Sequence, residues 1–131
     1  MNPRAALLLG SAALALGLAA CGGSGGSEPT SVSCSAGTAA VSQGGSPGAT
    51  VNATDNLAFD PQNVSVNVGQ VLQWKNTGQT AHTVTFSGAQ SCLTDDQLAG
   101  GSTWDVTFNQ AGTFAFKCTI HPQMTGVVTV H

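Results

Sequence analysis

Between Lys117 and Met124 the chain reads Lys-Cys-Thr-Ile-His-Pro-Gln-Met, which sets a thiol at Cys118, an imidazole at His121 and a thioether at Met124 within seven residues. His82, well upstream, supplies a second imidazole. All four are soft or borderline metal ligands. The thiolate and thioether favour Cu(I) while the imidazoles keep Cu(II) acceptable, so one copper ion suits the set in both oxidation states. A stiff site that suits both states changes little in geometry when one electron comes or goes, and a small rearrangement means a low barrier. Zinc also suits Cys and His, but it would be redox-silent.

Taken singly, each residue has a plainer role. A buried Cys is commonly a small core residue, a His at a strand end is commonly a hydrogen-bonded surface group, and Met124 would serve as filler under a loop. Taken together, the C-x2-H-x2-M spacing and one distant His on the right strand parity favour ligand use. A thiolate, two imidazoles and a weak axial thioether are the ligand set of blue copper sites.

Such a set needs stiff elements to hold it, and from Ala49 onward the chain reads as short strands between Gly, Pro and Asn punctuation. Val64, Val66 and Val68 alternate with polar residues until Gly69. Leu72, Trp74 and Asn76 form a second row, His82, Val84 and Phe86 a third, and Trp104, Val106 and Phe108 a fourth. Phe114, Phe116 and Cys118 form another, and Gly126, Val128 and Val130 close the chain. No stretch after Cys21 carries a helical stripe, although Leu93 to Ala99 has room for one turn. About seven to eight strands of this kind predict an all-β, Greek-key β-sandwich. Side chains on one strand face repeat every two residues, so His82 and Cys118 each extend a core-facing row. Both are expected at one end of the sandwich, in a site sunk between the sheets.

Ahead of this domain lies an address. Arg4 is followed by the apolar run Ala5 to Ala20, too short for a membrane-spanning helix of about 20 residues but suited to a secretory signal peptide. Its end, Leu18-Ala19-Ala20-Cys21, resembles a bacterial lipobox. The resemblance implies cleavage before Cys21 and a diacylglycerol on its sulfur. Residues 1–20 are therefore expected as a lipoprotein signal peptide. Residues 21–48, from the lipidated Cys through Gly/Ser-rich sequence, are expected as a linker with room for one short strand. Residues 49–131 are expected as the copper-binding domain, outside the cytoplasm and anchored to a bacterial membrane through Cys21.

Composition narrows the function further. Only 7% of the 131 residues are charged, against about 25% in an average domain, and the formal net charge is -3. Three basic residues cannot form the patch that nucleic acid demands, and the length allows one domain. Docking to any protein partner is expected to be apolar and little steered by electrostatics. Asp95 and Asp96 form a carboxylate pair without a nearby His or nucleophile, and read as a solvated loop edge. His131 reads as exposed and incidental.

The run from Phe59-Asp60-Pro61 through Val64–Gly69, Val71–Asn76 and His82–Phe86 resembles the first half of a plastocyanin-type cupredoxin. Gly112 through Val128 resembles the second half, and its short Cys-to-Met loop is similar to that of amicyanins. The lipid-anchored layout is similar to that of halocyanins. The resemblance covers roughly residues 50 to 131. It implies His82, Cys118 and His121 as equatorial copper ligands, Met124 as the distant axial one, and an electron port where His121 reaches the surface between Ile120 and Pro122. Two positions depart from the family. Thr83 stands where an Asn commonly pins the Cys loop, leaving its backbone N–H as the expected donor to the Cys118 sulfur. Ile120 stands where Pro is frequent. With Cys21 lipidated and Cys118 on copper, Cys34 and Cys92 remain as an even pair in an oxidising compartment, and a Cys34–Cys92 disulfide is expected.

The resulting expectation is a monomeric, membrane-tethered carrier of single electrons between a redox donor and acceptor. It is not an enzyme: a multicopper catalyst needs further His clusters, and His82, His121 and His131 are the only histidines. The alternative is an extracytoplasmic lipoprotein that binds and delivers copper, a role usually served by exposed, Met/His-rich sites.

Overall fold

The computed structural model describes residues 38–42 and 44–131. Cys21, Cys34 and the expected signal peptide lie outside the described residues. In chain order the strands are β1 (Ala39–Val41), β2 (Ala49–Thr54), β3 (Ala58–Asp60), β4 (Asn63–Val66), β5 (Val71–Asn76), β6 (His82–Phe86), β7 (Thr94–Leu98), β8 (Thr103–Phe108), β9 (Gly112–Lys117) and β10 (Thr125–Val130), with one 3-10 turn at Gly88–Gln90. One sheet has the order β1-β8-β5-β2-β3 and the other β4-β10-β9-β6-β7. The β2–β5 and β4–β10 pairs are parallel. The chain passes repeatedly from one sheet to the other, giving the expected Greek-key sandwich.

The alternation in the sequence becomes burial. On β5, Leu72, Trp74 and Asn76 are buried while Lys75 is exposed; on β9, Phe114 and Phe116 are buried while Thr113, Ala115 and Lys117 are exposed. The inward faces meet around Trp74, whose ring centroid lies 5.2 Å from Phe116, 5.4 Å from Trp104 and 5.6 Å from Phe86. Phe59 adds an edge-on contact to Phe116 at 4.9 Å. Such aromatic pairs contribute about 0.5–1.5 kcal/mol each beyond the area they bury. Their placement matters as much as their energy. Phe86 lies on the strand that begins with His82, and Phe116 precedes Cys118 by two residues, so one rigid cluster fixes the roots of two candidate ligands.

Two glycines have a demonstrable role. Gly69, at φ 83°, makes the turn between β4 and β5 in a region that L side chains avoid. At Gly126 a Cβ would overlap the ring of Phe116 and crowd the Gln62 carbonyl, so only Gly lets that ring lie against β10.

The ten strands among the described residues exceed the seven to eight expected. β7 occupies Thr94–Leu98, where the sequence has room for a helical turn or a loop. It is an edge strand paired with β6, with His82 opposite Leu98 and Thr85 opposite Thr94. Its sequence, Thr-Asp-Asp-Gln-Leu, buries only Leu98, so it carries no alternating signal. Asp95 and Asp96 thus sit on a strand rather than in a loop, and the side chain of Asp95 accepts the Gln97 N–H at 3.1 Å. β1 falls within the stretch expected as linker and pairs with β8, Ala39 opposite Phe108. His131 is exposed, as expected.

Candidate metal centre

Two loops at one end of the sandwich supply the site. His82 opens β6, directly after the β5–β6 loop. Cys118, His121 and Met124 come from the loop between β9 and β10. That loop closes on itself: Met124 N–H donates to the His121 carbonyl and Cys118 N–H to the Met124 carbonyl, each at 2.9 Å. The turn is what C-x2-H-x2-M spacing achieves.

One ligand atom from each of His82, Cys118 and His121 lies within 4.8 Å of the others. Cys118 Sγ is 3.6 Å from His121 Nδ1, and the two imidazole centroids are 5.2 Å apart. His82 and Cys118 have no solvent exposure and Met124 has 1%, whereas His121 is half-buried. Ile120 beside it is 53% exposed. The site is closed except along the edge where His121 meets solvent.

Neither ring nitrogen of the buried His82 has a hydrogen-bond partner in this region. The Thr54 carbonyl is near enough to favour the charged ring, but not in bonding geometry. Burial, and then the neighbouring His121, push the His82 pKa below its ordinary value, so its ring is held neutral. Buried polar groups are nearly always satisfied, and leaving one bare costs about 1–3 kcal/mol. A buried neutral imidazole with an unfilled lone pair, beside a thiol and a second imidazole, is a donor set that a copper ion fits.

The loop that leads to His82 is held from both sides. From within, the buried Asn76 donates its amide to the Thr80 carbonyl at 2.7 Å and the Leu98 carbonyl at 2.8 Å, and accepts the Gly78 N–H at 2.9 Å. From outside, Asp55 accepts the backbone N–H groups of Gln79 and Thr80, each at 2.9 Å to Oδ1. These bonds, from Thr80 first, hold the Asp55 carboxyl below its usual range. Sequence reasoning missed both residues as parts of the site. Asn76 carried a signal, since a polar residue at the end of the Leu72-Trp74 row is out of place unless its amide has partners. Asp55 carried none.

Thr83 takes over the work of the absent Asn. Its N–H donates to Cys118 Sγ at 3.4 Å, as expected. Its hydroxyl also accepts the Thr119 N–H at 2.7 Å and lies 2.9 Å from the Thr119 hydroxyl, so the Cys loop is pinned to β6 by the side chain as well.

Comparison with known proteins agrees with this geometry. Residues 47–131 match the family model for copper binding proteins of the plastocyanin/azurin family. The chain belongs to that family. This cupredoxin is 37% identical over 89 residues to a plastocyanin of Sambucus nigra, covering 58% of this chain and 90% of that protein. It is 32% identical over 77 residues to amicyanin-alpha of Methylorubrum extorquens, covering 56% of this chain and 65% of that one. A reduced Cu(I) form of an amicyanin variant superposes with a TM-score of 0.64 at 26% identity, covering 72% of this chain and 99% of the other. A purple cupredoxin from Nitrosopumilus maritimus, at 21% identity and a TM-score of 0.59 over 63% of this chain and 99% of its own, shares the fold. Copper is the cofactor of this cupredoxin, and the unpartnered His82 nitrogens and the adjacent thiol fit it.

Proposed function

We propose that this cupredoxin carries single electrons between redox proteins outside the cytoplasm, and that His82, Cys118, His121 and Met124 would hold its copper. When bound there, copper supplies a one-electron change between Cu(I) and Cu(II). The protein's own residues do the rest. Asn76, Asp55 and Thr83 hold the ligand loops, the aromatic cluster stiffens their roots, and buried His82, Cys118 and Met124 keep solvent away. The observation that carries the reading is the asymmetry of access: His121 alone among the four is half-buried, beside exposed Ile120 and Pro122. Delivery of copper calls for ligands that a partner can reach, and burial of three of the four counts against it.

In this reading Cys21 is lipidated and tethers residues 49–131, the copper-binding domain, to a bacterial membrane, and the chain acts as a monomer. No helix among the described residues is long and apolar enough to cross a membrane. Cys118 is a free thiol whereas Cys92 is disulfide-bonded, which supports the Cys34–Cys92 pairing. The sparse charge predicts that electrons pass through apolar contact. The test is electron self-exchange between Cu(I) and Cu(II) forms of the protein, read from NMR line broadening. Exchange is expected to be fast and to change by less than about threefold up to roughly 0.5 M salt. Exchange too slow to broaden the Cu(I) lines would contradict the carrier reading, and a steep salt dependence would contradict the apolar docking.

A further inference from the structure

Resting on the copper assignment, we infer that the Thr83 hydroxyl is a second hydrogen-bond donor to the Cys118 sulfur, aimed there by Thr119, and that it biases the site toward Cu(I). Three groups crowd Thr83 Oγ1: the Thr119 N–H at 2.7 Å, the Thr119 hydroxyl at 2.9 Å and Cys118 Sγ at 3.8 Å. A hydroxyl has one proton to give and two lone pairs to fill. The Thr119 N–H can only donate, so it takes one lone pair. The remaining question is which way the proton points.

Thr83 is 4% exposed, so its proton must find a partner inside the protein. Thr119 is exposed, and its hydroxyl is free to turn, donate to Thr83 and keep its own lone pairs toward water. That arrangement fills both Thr83 lone pairs and sends its proton to the sulfur. Once Cys118 is a thiolate, the choice is reinforced, because a hydrogen bond to an ionised acceptor is about twice as strong as one between neutral groups. The sulfur then has two donors from one residue, the Thr83 N–H at 3.4 Å and the hydroxyl.

The consequence is electrostatic. Cu(II) draws electron density from the thiolate more strongly than Cu(I) does, so the sulfur is more negative in the reduced protein. A donor aimed at it therefore stabilises Cu(I) more than Cu(II), and hydrogen bonding around the Cys sulfur tunes the potential of such sites. Thr83 is thus a positioning residue that also tunes the metal, through its side-chain hydroxyl in addition to the backbone donor the sequence predicted.

The experiment compares native protein with Thr83→Val, Thr83→Ser and Thr119→Val by reduction potential, and by NMR of the metal-free and Cu(I) forms. Thr83→Val is expected to shift the equilibrium with a redox mediator roughly tenfold toward the oxidised form, and to strip the Thr119 amide of its protection from exchange even without copper. Thr83→Ser is expected to restore both. Thr119→Val is expected to leave the potential near native, since the Thr83 proton already faces the sulfur. An unchanged potential in Thr83→Val, with the blue band intact, overturns the inference and leaves the copper assignment standing. A raised potential in Thr119→Val also overturns it, because the proton would then have pointed at Thr119 in the native protein. Should Thr83→Val fail to fold, the Thr83→Ser and Thr119→Val pair still decides. A native chain that binds no copper would instead sink the assignment beneath it.

Discussion

Replacing Cys118 with Ser is expected to abolish the intense visible band of the copper-loaded protein while leaving its fold intact. The band requires charge transfer from a thiolate to Cu(II), and Cys118 is the one thiol in the candidate centre. Serine is close in size, so the fully buried position is not opened into a cavity. Its hydroxyl can accept the Thr83 N–H that now meets the sulfur at 3.4 Å, which limits the cost of the buried oxygen to about 1–3 kcal/mol. Without the thiolate, the ligands that remain favour Cu(I) less, since only the Met124 thioether is still soft. Absorption spectra and thermal melts of the metal-free proteins, native and variant, separate the two effects. A retained blue band would mean that the colour and the copper come from elsewhere.

The second large effect is the coupling of metal, protons and stability at His82. Its imidazole is buried and its pKa is lowered from 6.5, by burial first and by His121 second. A base with a depressed pKa binds its proton more readily in the unfolded chain. The stability it contributes is therefore present above pH 6.5 and is lost as pH falls below that value. Metal-free protein is expected to lose up to about 1.4 kcal/mol per pH unit from this one group as pH falls through that window. Copper at His82 would compete with the proton for the same ring lone pair, so loading should both stabilise the fold and flatten its pH dependence. At a thousandfold excess of metal over its dissociation constant, the gain is about 4 kcal/mol, or roughly 20 °C in melting temperature. Melts of both forms between pH 5 and about 8 check this. A metal-free protein whose stability rises on acidification would contradict the buried, neutral His82.

These effects explain which features could be read from the chain and which could not. Cys118, His121 and Met124 were legible because one tight turn gathers them, so their spacing in sequence is their spacing in space. His82 was legible through parity, since the two-residue repeat of a half-buried strand aligns it with Val84 and Phe86. β7 was not. An edge strand needs no apolar face, and Thr94, Asp95 and Leu98 pair with β6 through backbone atoms that every residue type shares. Asp55 was hidden for a related reason: its acceptors are filled by backbone N–H groups of a loop distant in sequence. Thr83 was legible only as a departure from its relatives. That a hydroxyl can replace an amide there depends on Thr119 standing opposite, a pairing of two positions that only the folded chain brings together.

The most direct test of the account is a titration of the soluble chain, beginning after Cys21, with Cu(II), followed by visible absorption and EPR. The expected result is an intense blue band that saturates at one copper per chain, with the EPR signature of a thiolate-bound, strongly covalent Cu(II). A pale protein with the signal of ordinary tetragonal Cu(II) would contradict the assignment of His82, Cys118, His121 and Met124, and the electron-carrier function would fall with it.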